Sequence, residues 1–265
     1  MTDSKASLGT KPRLEFHPPD CLIVDERYQR SIARGAGKKL IAKIVEGFYW
    51  PFFGVLVATD NGDGTYCLID GQHRAEAARQ HPDIRSVPVM VIDEMTLAEQ
   101  ARAFVVINES RVKLNALQIH RAAVRAGDPE AAQIDAIARQ CGISIPSNNI
   151  SSINIQPGQT LSVKALYEIL RSAGPEGLRN ALNAVMAAYK ETTGDLRSQI
   201  FKGVADALRR CPGKVTEIGA ALMDLDAVSW EQEARSRSKM EGMSTVSSLG
   251  LILSEKINRH PVAAE

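Results

Sequence analysis

The sequence predicts an α+β protein: a small α/β domain over residues 13–115, then an all-helical domain over residues 116–265. Three observations predict it. Short apolar runs rich in β-branched residues alternate with helical patterns as far as Leu114, and beyond it only helical patterns recur. Gly142, Gly174, Gly194 and Gly213 stand where those later helices should stop. The composition suits a buried core, with 44% hydrophobic and 24% charged residues in a chain of 265.

Residues 1–12 are small and polar and read as a flexible tail. Residues 13–24 read as an extended opening segment interrupted by Pro18 and Pro19. Residues 38–48 read as a helix, with Leu40, Ile41, Ile44, Val45 and Phe48 at helical spacing and Pro51 ending it. Residues 52–58 read as a β-type run. Asp60-Asn61-Gly62-Asp63-Gly64 reads as a hairpin turn with its return strand at 65–69. Asp70-Gly71 turns tightly into a short helix over 72–80. Residues 87–92 form another strand, in which Pro88 points to an edge position or a strand start. Thr96 and Glu99 make a capping box for a helix carrying Leu97, Ala101, Phe104, Val105 and Asn108.

Helical patterns then cover 116–126, 129–141, 161–171, 175–189, 196–208, 215–225, 230–240 and 244–258, with an irregular stretch at 143–160. Residues 134–145 have the small-residue, glycine-turn look of the first half of a helix-turn-helix. That motif needs a second helix three or four residues on, and Pro146-Ser147-Asn148-Asn149 begins one poorly. The competing reading is a bundle helix with a glycine cap.

Lys+Arg is 32 and Asp+Glu is 31, so the net charge is +1. Binding to nucleic acid by sheer basicity would need far more, so a local patch is required. Arg27, Arg30, Arg34, Lys38, Lys39 and Lys43 form such a run, and Arg34, Lys38, Lys39 and Lys43 are its expected DNA contacts. The alternative is a solvated helix face. Arg235, Arg237 and Lys239 are flanked by Glu231, Glu233 and Glu241 and read as solvated surface. Trp50, Phe52 and Phe53 are either stacking residues or an apolar core cluster beside Pro51. Cys21, Cys67, Cys141 and Cys211 stand alone, which argues against a zinc site or a disulfide framework. The longest apolar stretch, 50–58, falls far short of the roughly 20 residues of a membrane span. Residues 1–12 lack the apolar core of a signal peptide. A reduced, soluble, cytoplasmic protein with no membrane partner is expected.

The sharpest local feature is Leu68-Ile69-Asp70-Gly71-Gln72-His73-Arg74, an apolar strand that runs through Asp-Gly into a helix. A helix start attracts anions through its N–H groups and its dipole. Gly71 allows close approach, Arg74 offers a planar fork of donors, and His73 donates or accepts. This reads as a phosphate or nucleotide site, against the alternative of a tight turn whose Arg braces the fold through an internal salt bridge. A second feature is Asn108-Glu109-Ser110-Arg111. Asn108 suits a phosphate or a metal-bound water and Arg111 a phosphate; the alternative is a polar helix end at a domain junction.

In this order the pieces resemble the N-terminal domain of the ParB/sulfiredoxin superfamily, in the branch with an Asp-Gly-Gln-His-Arg signature, over roughly residues 22–121. Residues 25–30 are similar to its opening box, 40–57 to its helix–proline–strand segment, 69–78 to its phosphate box, and Asn108 with Arg111 to its later Asn-x-x-Arg box. The resemblance implies a nucleotide triphosphate with Mg2+, CTP or ATP, surrounded at its phosphates by Gly71, Gln72, His73 and Arg74. It implies Asn108 near the metal–triphosphate, Arg111 near a phosphate, and Arg27 and Arg30 at the same mouth. It also implies DNA as a partner, a regulatory or maintenance role such as mobile elements require, and assembly with a second copy of the chain as a homodimer.

The departures bear on chemistry. Sulfiredoxins carry a catalytic Cys where this chain has Gln72, so that reaction is not expected. Partition proteins carry two Arg at the positions of His73 and Arg74, and a Glu associated with hydrolysis at the position of Ile107. Slow hydrolysis or none is expected. The alternative is an enzyme on the same fold, a small-molecule phosphotransferase or a metal-dependent nuclease, for which Asp70 and Glu76 are the candidate catalytic carboxylates. A third class is an interaction module that no longer uses the site.

Overall fold

The computed structural model describes residues 10–259 except 30, 31, 33, 94, 111–113, 149 and 151. The chain divides into two compact units, Met1–Lys113 and Leu114–Glu265. The first is a mixed α/β unit and the second is helical, so the fold class is α+β.

The first unit is built on β1 (Arg13–His17), β2 (Leu22–Ile23), β3 (Leu56–Asp60), β4 (Tyr66–Asp70) and β5 (Val87–Ile92), in the order β1-β5-β3-β4-β2. β3 pairs antiparallel with β4 and parallel with β5. The β3–β4 hairpin closes because Asp60 accepts from the Gly62 N–H at 2.8 Å and Asp63 from the Thr65 N–H at 2.9 Å. Pro88 is the second residue of β5, opposite Phe16, and β5 is an inner strand. The strand-start alternative therefore holds, because a proline further along an inner strand would remove a ladder donor.

Four helices accompany the sheet: α1 (Gly35–Glu46), α2 (Trp50–Phe53), α3 (Gln72–Gln80) and α4 (Leu97–Glu109). Ala75 and Ala78 of α3 pack on Leu56, Ala58, Leu68, Val87, Val89 and Val91. The alternation along the strands puts all six on one face. The small side chains of α3 let it lie close to that face. The Thr96–Glu99 capping box starts α4, with the Thr96 N–H donating to Glu99 at 2.9 Å.

Two boundaries differ from the sequence expectation. α1 ends at Glu46, where the Gly47 N–H closes on the Lys43 carbonyl, before Pro51 is reached. Residues 52–58 are not one strand: Trp50–Phe53 is a helical turn ended by Gly54 at φ +69°, and β3 begins at Leu56. Proline has the φ of a first helical turn and no N–H to lose there, so Pro51 starts this turn.

The second unit contains α5 (Ala116–Arg125), α6 (Pro129–Gln140), α7 (Val163–Tyr189), α8 (Ser198–Arg210), α9 (Val215–Leu222), α10 (Ala227–Glu241) and α11 (Thr245–Arg259). The two helices expected at 161–171 and 175–189 are both present within α7, separated at Gly174, whose φ +72° and ψ −179° are not helical, and Pro175 follows at once. Core residues include Leu178, Leu182, Phe201 and Trp230. α8 meets α11 at Gly203, where a Cβ would lie 2.4 Å from Leu249 Cδ2. α6 ends at Gln140, and the next structure is an isolated bridge between Ser144 and Gln159. No helix starts within four residues of it among the described residues, so Ile134–Gln140 is the end of a bundle helix with Gly142 just past its cap, and not the first half of a helix-turn-helix. Among the described residues no helix is long and apolar enough to cross a membrane.

Candidate functional site

The turn from β4 into α3 is built around Gly71, which has φ +97° and caps the helix without a side-chain hydrogen bond. A Cβ there would lie 2.4 Å from Leu56 Cδ2 and 3.0 Å from Arg74 Nη2, so both conformation and space demand glycine. The first turn of α3 itself carries no acid; the one beside it is Asp70, immediately before the cap.

This helix start opens into a cleft of about 590 Å³. Asp70, Gly71, Gln72, His73 and Arg74 form one wall, and Phe104 and Asn108 of α4 another. Leu40 and Ile44 of α1 add an apolar side, and Tyr28 and Gln29 also line it. Asn108 Nδ2 donates to the Phe104 carbonyl at 2.7 Å, which leaves its Oδ1 as the acceptor atom of that amide.

Arg74 is an internal brace as well as a cleft residue. Its Nη1 donates to the carbonyls of Phe53 at 2.7 Å and Val55 at 3.2 Å, and its Nη2 to Asp70 Oδ2 at 3.0 Å. Of the two sequence readings for this arginine, the internal salt bridge is present.

Other expected residues fall elsewhere. Arg27 does not line the cleft; its guanidinium pairs with Asp25 in the same turn, Nε to Oδ1 at 2.9 Å, and this holds the Asp25 carboxyl below its ordinary value. A two-residue loop closes that pair more readily than any longer reach. Glu76 is also displaced from the cleft. It sits one helical turn beyond Gln72, hydrogen-bonds Arg79 and accepts from Gln80 Nε2 at 2.7 Å. Glu76 lines a second hollow of about 460 Å³, together with Lys38, Ile41 and Arg79, and Gln72 borders both hollows. Arg34, Lys39 and Lys43 are exposed on and before α1. Arg30 and Arg111 lie outside the described residues.

Among the cleft residues that were not anticipated are two polar ones, Gln29 and Tyr28. Gln29 is buried and donates to the Leu68 carbonyl, tying the 25–29 segment to β4. The Tyr28 hydroxyl lies 3.3 Å from Gln100 Oε1 and 3.5 Å from Cys67 Sγ, and its ring meets Phe104 edge-on at 5.8 Å. Burial pushes its phenol well above the ordinary range. The only sequence signal was their place inside the opening box, where the arginines drew attention instead. Among the described residues no group of three or more His, Cys, Asp or Glu side chains is gathered to hold a metal.

A family model described as a family of unknown function, DUF6551, matches residues 23–218. No curated protein matches the chain. Among solved structures, the chain is similar to a crystal structure of the C-terminally truncated chromosome-partitioning protein ParB from Caulobacter crescentus complexed with CTP-γ-S. The identity is 14% and the TM-score 0.36, over 91% of this chain and 98% of that one.

Proposed function

This chain belongs to the DUF6551 family, and from that premise we propose that it is a nucleotide-binding, DNA-associated regulatory or maintenance protein. The nucleotide is a triphosphate, CTP or ATP, carried with Mg2+ into the cleft at the start of α3. The observation that supports this reading is convergence: the Gly71 turn and Asn108, from different elements, line one cleft of about 590 Å³. Small-molecule sites commonly enclose about 300–1,000 Å³. The dipole of a helix start is suited to an anion, and Gly71 at the cap lets one approach the main chain closely. His73 and the arginine fork of Arg74 border the same space.

The donor set fits a magnesium ion that arrives on the phosphates. Mg2+ keeps several waters and needs only one or two protein groups, and Asn108 Oδ1 can accept from a metal-bound water. The phosphotransferase alternative is less favoured, since a general base must take a hydroxyl proton. The Asp70 carboxylate is hydrogen-bonded to Arg74, and Glu76 to Arg79 and Gln80.

Calorimetric titration with CTP, ATP, ADP and GTP, each with magnesium, tests the proposal on the wild type, His73→Ala and Asn108→Ala. Saturable binding of a triphosphate, weakened in both variants with the melting temperature preserved, is the expected result. No binding by any nucleotide overturns it.

A further inference from the structure

The turn at Trp50–Phe53 exposes the aromatic side chains that an apolar sequence would be expected to hide. Phe53 is 4% exposed and anchors the turn in the core, but Tyr49, Trp50 and Phe52 are 56%, 48% and 83% exposed. The Tyr49 and Phe52 rings stand 4.9 Å apart at 71°. Trp50 is braced edge-on by Phe48 at 5.0 Å and by Phe53 at 5.7 Å. The backbone beneath is held too: the Phe52 N–H closes on the Tyr49 carbonyl at 2.9 Å, and Arg74 grips the Phe53 and Val55 carbonyls. A flexible apolar loop would fold these rings inward; a braced turn keeps their faces outward.

α1 leads directly into this turn. It carries Lys38, Lys39 and Lys43 against a single acid, Glu46, and Lys39 and Lys43 are exposed. Exposed aromatic faces that follow in the chain on exposed lysines, which make no ion pair among the described residues, complement an anionic polymer that also offers flat rings.

We propose that Tyr49, Trp50 and Phe52 form a stacking platform for the unpaired bases of single-stranded nucleic acid, with Lys39 and Lys43 on its phosphates. Base–aromatic stacking tolerates any sequence, because every base has a π-face. A duplex does not fit as well, since its base faces are already stacked on one another. The proposal deepens the DNA-associated reading by naming the form of the polymer, and it does not require the cleft to be occupied.

The test uses the full chain without nucleotide and a fluorescently labelled oligothymidylate of about 16 nucleotides. Anisotropy reports binding, and tryptophan emission reports contact, because Trp50 is the exposed member of a pair whose other member, Trp230, is 1% exposed. Saturable binding that quenches emission and weakens with salt is expected. Phe52→Ala should weaken it roughly five- to a hundred-fold with an unchanged melting curve, since the side chain is largely in solvent. Lys39→Gln/Lys43→Gln should flatten the salt dependence. Binding of a duplex of the same length but not of the single strand would overturn this proposal and leave the DNA-associated reading standing. Self-association abolished by Phe52→Ala, without any oligothymidylate binding, would assign the platform to a second copy of the chain and also overturn it.

Discussion

The Arg74 guanidinium lies 2.7 Å from the Phe53 carbonyl oxygen, and Gly54 is what lets it in. A Cβ on Gly54 would lie 2.9 Å from Arg74 Nη1. The start of α3 and the aromatic turn before β3 are therefore locked to each other through one side chain. The same side chain holds Asp70 at the end of β4. A residue with the chemistry of a phosphate ligand is thus also a keystone of the first unit.

Arg74→Ala should destabilise the protein by about 1.5–3 kcal/mol, the range for hydrogen bonds to charged groups, because it removes a charged donor from the Phe53 and Val55 carbonyls and from Asp70. Urea unfolding measures this. An unchanged midpoint would show that the brace contributes nothing, and would free this variant to report on ligand binding alone.

Gly71→Ala should cost about 1–3 kcal/mol, since φ +97° is strained for any side chain and the new Cβ meets Leu56. The loss should appear in thermal melts of the protein without any ligand. A melt equal to the wild type would mean that the turn relaxes without strain and that Gly71 is not needed for conformation.

Gly203→Ala sets two effects against each other in the second unit. Alanine gains about 1 kcal/mol of helix propensity over glycine. Its Cβ, however, would sit within 3 Å of three Leu249 atoms, and overpacking a tight crossing costs about 1–3 kcal/mol. A net loss of up to about 2 kcal/mol is expected in urea unfolding. A stabilised variant would show that α8 and α11 shift apart easily.

Glu255 gives a pH-dependent contribution of known sign. Arg237 donates to it through two 2.8 Å hydrogen bonds, which hold its carboxyl below the ordinary value of 4.5. With the folded-state value depressed, the pair stabilises the protein fully above that ordinary value and loses its contribution as pH falls through the folded value. The melting temperatures of wild type and Glu255→Gln should differ near neutrality and converge in acid. A gap constant with pH would rule out the ion pair as its source.

Much of this organisation was legible from residue order. Helix α3 begins and ends where the Asp-Gly turn and the polar run 72–80 place it. The hairpin at 60–65 and the Thr96–Glu99 box follow from local hydrogen bonding between residues two or three apart. Such features need no tertiary context, because their partners are neighbours in the chain. The aromatic turn was misread because Pro51 and Gly54 act on backbone torsions, whereas the apolar run around them looks like a strand.

The candidate site was legible only in part. Gly71 could be marked as a turn residue and Gln72, His73, Arg74 and Asn108 as polar residues at helix ends, and they border one cleft. The commitment of Arg74 to Phe53 and Val55, the diversion of Glu76 to Arg79 and Gln80, and the arrival of Tyr28 and Gln29 could not be marked. Residue order alone settled the division into a sheet-bearing half and a helical half, since hydrophobic period is a local property. Which charges are consumed inside the fold and which face the cleft was decided by packing. Arg74 reaches the Phe53 carbonyl only because β4 folds back on β3 and α3 then packs on the sheet, a geometry that no single residue spacing announces.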